Sequence, residues 1–133
     1  MPQDQFVKVG HIRTRFWQVG EAGSVVVLLH GIACSVTEWE RNIEVLAERH
    51  RVYAIDLLGF GLTDKPDNEA YSLRNLARFV LDFMQQADIA RAHLCGNSLG
   101  GRLTLMCADM APERVISALL VDPGRNRAAR NVI

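Results

Sequence analysis

Three apolar blocks of strand length, each followed by a stretch of helical periodicity, constrain this chain more than any other feature. The blocks are "VVVLLH" (25–30), "YAIDL" (53–57) and "AHLCGN" (92–97). A β-branched run of this kind suits a strand buried on both faces. After Ser35, the residues Val36, Trp39, Ile43, Leu46 and Ala47 follow helical spacing, and Ser35 with Glu38 reads as a capping box. After Ser72, the residues Leu73, Leu76, Val80, Phe83, Met84 and Ala87 form an amphipathic stripe with Ser72 as N-cap. A third helix should start at Ser98 or Leu99 and stop before Pro112, burying Leu103, Met106 and Met110. "ISALLVD" (116–122) is a further strand, and "QFVKVG" with "IRTRFWQVG" reads as an antiparallel pair around Gly10. Strand then helix, repeated, implies right-handed crossovers. The fold class is therefore α/β: a mostly parallel sheet of roughly six strands with helices on both faces. No repeat or linker divides it, so residues 1–133 are read as one domain.

Composition removes several classes of function. Formal net charge is zero across 133 residues, which argues against a nucleic-acid or anionic-membrane partner. The arginines of the stretch 123–133 read as a solvated chain end. The longest apolar run, "SVVVLL", is too short to span a bilayer, and the first residues lack the pattern of a signal peptide. Cys34, Cys95 and Cys107 make neither a metal pattern nor a disulfide framework. A cytoplasmic protein with no cofactor and no metal is expected, acting on a small molecule.

Chemistry concentrates in Gly96-Asn97-Ser98-Leu99-Gly100, a G-x-S-x-G between a strand and a helix. A sharp turn there lifts the serine hydroxyl to the carboxyl ends of the strands, where open α/β sheets bind ligands. It also aims the first N–H groups of the following helix at any oxyanion formed beside it. The alternative is a small residue in an ordinary tight turn. Two other segments agree with the first reading: His30-Gly31 at the end of a central strand, and the glycine-rich loop "DLLGFGLTDKP" (56–66) after the next. A nucleotide-binding reading fits poorly, because the glycine pattern is G-x-x-x-G-G and it follows a late strand.

Together these motifs resemble the amino-terminal half of the α/β-hydrolase superfamily, over about Phe6 to Asp122. The elbow is similar to those of the carbon–carbon bond hydrolases that cleave aromatic-ring meta-fission products, and of related esterases. The resemblance implies that Ser98 is the nucleophile and that the N–H groups of Ile32 and Leu99 form the oxyanion hole. It implies an ester or similar carbonyl substrate.

The same resemblance calls for an acid and then a histidine after the serine. All four histidines, His11, His30, His50 and His93, precede Ser98. His30 reads as a shaper of the oxyanion loop rather than a base, and His50 and His93 as boundary residues. Asp122 stands where some relatives carry the acid, but an aspartate before Pro-Gly is also a turn former. Asp56 and Asp64 read as holders of backbone N–H groups. The family's last two strands and its cap are not found, which leaves 116–122 as an apolar edge expected to self-associate. The expectation is a truncated, nearly inactive serine hydrolase; the alternative is a non-catalytic binding or assembly module that keeps the half-fold.

Overall fold

A computed structural model describes residues 1–122; the arginine-bearing stretch 123–133 lies outside the described residues. Strands β1 (Gln5–Val9) and β2 (Ile12–Val19) form the antiparallel pair, turning at Gly10. They are followed by β3 (Val25–Leu29), β4 (Arg51–Ile55), β5 (Ala92–Asn97) and β6 (Val115–Val121). The sheet order is β1-β2-β4-β3-β5-β6, and the β4, β3, β5 and β6 neighbours run parallel. The α/β class and the mostly parallel six-stranded sheet are as the periodicity predicts.

The alternation of side chains divides the core in two. Val25, Val27 and Leu29 of β3 face helices α2 (Leu73–Gln86) and α3 (Leu99–Met110), along with Ile55 and Leu94. Val26 and Leu28 face the other way, with Val52, Ala54 and Trp17, toward a 3₁₀ turn (Val36–Trp39) and a short helix α1 (Ile43–Leu46). Every residue of β3 is buried, which is why it reads as an unbroken apolar run. In α2 the predicted stripe is the buried face, and Ser72 Oγ accepts the Asn75 N–H at 3.1 Å as its N-cap. Helix α3 ends before Pro112, with Leu103 fully buried and Met106 and Met110 packed at its edge.

One local expectation is corrected. The segment after Ser35 is not one capped helix but a 3₁₀ turn and a separate four-residue helix. Ser35 Oγ accepts from Thr37 N–H, and Glu38 does not return to Ser35 as a capping box requires. The physical reason is tertiary. Buried Asp56 takes the Val36 N–H at 2.8 Å, and Glu38 is drawn to the strand ends, so long-range bonds set this backbone.

Strand β6 is the outer edge. Ile116, Leu119 and Val121 are exposed on it among the described residues.

Candidate active site

The ends of β3 and β5 lie side by side in register, Leu29 opposite Gly96, so the loop after one strand meets the turn after the other. Ser98 sits in that turn with φ 56° and ψ −115°, a strained conformation for a residue with a side chain. The flanking glycines explain how the turn is tolerated. A Cβ on Gly96 would strike the backbone of Gly100, and a Cβ on Gly100 would strike the Leu29 carbonyl. The Ser98 N–H donates to the carbonyls of Val121 (3.1 Å) and Asp122 (2.9 Å), so the end of β6 holds the turn from its other side. Asp122 therefore touches the turn through its backbone; its exposed carboxylate makes no hydrogen bond among the described residues.

The loop after β3 approaches closely: a Cβ on Gly31 would lie 3.3 Å from Ser98 Cβ. His30 fixes this loop. It is fully buried, and the Leu57 N–H donates to its Nε2 at 3.0 Å. The proton therefore sits on Nδ1, which donates to the Gly31 carbonyl at 2.7 Å. Burial holds the imidazole below its ordinary pKa, so it is neutral as well as fully engaged. The Cys34 N–H donates to the same Gly31 carbonyl at 3.1 Å. Because a trans peptide points its N–H opposite to its C=O, pinning that carbonyl also fixes the direction of the Ile32 N–H. Among the described residues no acceptor takes the N–H of Ile32 or of Leu99.

The remaining histidines stand elsewhere. His50 Nδ1 and His93 Nε2 each lie 3.1 Å from Ser24 Oγ near the start of β3, at the opposite end of the sheet from the Ser98 turn. His11 is exposed beside Glu69. Asp56 is buried and accepts from Val36 N–H, Leu62 N–H (2.7 Å) and Arg15 Nε (2.7 Å); Asp64 accepts from Arg13 N–H at 2.8 Å. Both carboxylates hold backbone, as the sequence suggests.

A family model described as alpha/beta hydrolase fold matches residues 24–131. The chain belongs to that family. Over 119 residues this alpha/beta hydrolase chain is 36% identical to the dihydrolipoyllysine-residue acetyltransferase component of the acetoin cleaving system of Cupriavidus necator, covering 90% of the chain and 32% of that protein. It is 34% identical to an uncharacterized carboxylesterase of Bacillus subtilis, covering 85% of the chain and 40% of the relative. A solved meta-cleavage product hydrolase from Pseudomonas fluorescens superimposes with a TM-score of 0.78 at 32% identity, covering 84% of this chain and 42% of that one. The chain thus spans about a third of the length of the first relatives it matches.

Two parts of this alpha/beta hydrolase site are not legible in motifs. An apolar cavity of about 270 Å³ is lined by Phe60, Tyr71, Leu73 and Leu76 together with Ile32 and Leu99, the two residues of the expected oxyanion hole. Phe60 also packs edge-on against His30, with ring centroids 5.5 Å apart. The second part is Glu38, whose carboxylate accepts from Gly31 N–H at 3.3 Å and from Asn97 Nδ2 at 2.8 Å. Leu73 and Leu76 were visible only as core positions of α2, and Glu38 only as a cap; their second role depends on which loops the fold brings together.

Proposed function

We propose that this chain carries the nucleophile side of a serine hydrolase acting on an ester or similar carbonyl substrate. The observation that carries the reading is Ser98 held at positive φ between β5 and α3, with the Leu99 and Ile32 N–H groups, which have no acceptor among the described residues, in the adjoining turn and loop. Ser98 Oγ attacks the carbonyl carbon, and the carbonyl electron pair moves to oxygen. The Ile32 and Leu99 N–H groups donate to that oxyanion, where preorganised donors contribute most. Collapse of the tetrahedral intermediate expels the leaving group, and water then hydrolyses the acyl-serine. The apolar part of the substrate lies against Phe60, Tyr71, Leu73 and Leu76 in the cavity next to the donors.

Within residues 1–133 no histidine takes the serine proton: His30 is committed to Leu57 and Gly31, and His11, His50 and His93 stand elsewhere. Without a base, an oxyanion hole and substrate binding alone sustain roughly 10³ to 10⁴ of acceleration over water. Residues 1–133 taken alone are expected to turn esters over slowly. Its free cysteines suit a reducing, cytoplasmic setting. The test is labelling by a fluorophosphonate followed by intact mass, alongside p-nitrophenyl ester turnover. Slow wild-type labelling that Ser98→Ala abolishes is expected. Equal labelling of both proteins, or no labelling of either, would remove Ser98 as nucleophile.

A further inference from the structure

Glu38 stands at a junction that the proposed chemistry does not itself use. It projects from the 3₁₀ turn Val36–Trp39 and reaches two neighbouring strand ends at once. Oε2 accepts the N–H of Gly31, the residue before the Ile32 donor; Oε1 accepts the side-chain amide of Asn97, the residue before Ser98. The Cys34 thiol lies close enough that, besides burial, the Glu38 charge and a hydrogen bond to it raise the thiol pKa. Gly31 lies in the loop after β3 and Asn97 is the last residue of β5, and no other side chain bonds to both among the described residues. The loop after β3 and the turn after β5 also carry the two N–H groups that must converge on one oxygen. A hole of this kind works only if its donors keep a fixed separation, and a misplacement of about 1 Å can cost about a hundredfold in rate.

We infer that Glu38 is a positioning residue: its carboxylate clamps the oxyanion loop to the nucleophile turn through Gly31 and Asn97. The inference rests on the reading of Ser98 as nucleophile for its consequence in rate, though not for the clamp itself. A carboxylate suits the task because it accepts at both oxygens and both partners are donors. An amide in its place can satisfy one partner only and turns a donor toward the other. The same logic gives a rescue. Asn97→Asp alone sets two carboxylates against each other, whereas Asn97→Asp with Glu38→Gln restores a donor facing an acceptor, and the introduced amide oxygen still takes the Gly31 N–H.

Two measurements on the intact chain test this. The first is backbone ¹⁵N relaxation of Gly31 and Ile32 against amides in the middle of α2. In wild type, order parameters near the rigid value of about 0.85 are expected, and in Glu38→Ala the loop values should fall toward about 0.6 while α2 is unchanged. The second is phosphonate labelling of Ser98 resolved into a reversible binding step and a covalent step. In Glu38→Ala the covalent step should slow about tenfold to a hundredfold with reversible binding unchanged. Asn97→Asp should slow it similarly, and the double variant should recover to within about threefold of wild type. Unchanged loop order parameters in Glu38→Ala, or a loss of order spread evenly over the fold, would overturn the clamp. If Ser98→Ala takes label as fast as wild type, the nucleophile reading falls, and the relaxation data still decide the role of Glu38.

Discussion

At the scale of single residues, His30 shows how a titratable group can serve structure by staying neutral. Its Nδ1 proton and its Nε2 lone pair are both spent on backbone, and burial lowers its pKa below the ordinary 6.5. The unfolded chain then binds this proton more readily than the folded one, so stability is full above the unfolded pKa and is lost as pH falls through it. Replacing the ring with His30→Asn should cost about 2 kcal/mol at about pH 7.5, through lost hydrogen bonds and packing. The gap between variant and wild type should narrow as pH drops below 6.5, because only the wild type carries that proton penalty. Urea titrations across this range measure it, and a gap independent of pH would show that His30 is not buried neutral. The sequence displays His30 and Ser98 clearly, since each sits in a short motif at the end of an apolar run. It hides Glu38, because a carboxylate three residues after a serine fits a capping box equally well, and only the juxtaposition of β3 and β5 redirects it.

Elements were legible in proportion to how far local forces determine them. Helix α2 is long and has a wide apolar stripe and a serine cap, so its periodicity alone marks both its extent and its buried face. The segment from Val36 to Leu46 has the same spacing, yet it breaks into a 3₁₀ turn and a short helix because Asp56 and Glu38 tie it to distant backbone. The packing of α3 against the sheet belongs to this scale too. Gly100 lets the first turn of α3 ride directly on the carbonyls of Leu29 and His30. A methyl group there has no room, since its neighbours are backbone rather than flexible side chains. Gly100→Ala should therefore destabilise the fold by about 2 kcal/mol or more, read as a fall in the urea midpoint. An unchanged midpoint would mean that the contact between α3 and β3 is looser than its geometry implies.

At the scale of the whole described sheet, its two edges differ. One edge is β1, a short strand that carries the charged Lys8. The other is β6, where Leu119 is 57% exposed and Ile116 and Val121 are 40% and 45% exposed. Unpaired backbone beside apolar side chains invites another strand. We propose that residues 116–122 self-associate where nothing else covers them, and Leu119→Lys should weaken this while changing stability by no more than about 0.5 kcal/mol. Sedimentation velocity over a range of concentrations reads this directly, and association unaffected by the lysine would place the contact elsewhere.

The bonds from the Ser98 N–H to the carbonyls of Val121 and Asp122 also impose an order of events during synthesis. A chain leaves the ribosome from its amino terminus, and early segments can begin to fold before later ones exist. Strand β5 and its serine emerge before β6, so the nascent turn has one of its two sides unanchored until residue 122 has cleared the exit tunnel. Ser98 and Asp122 are about two dozen residues apart, so the second anchor of the turn becomes available only after that further length of chain has also emerged. A pause in that interval would leave the Ser98 turn without the two bonds that the end of β6 supplies.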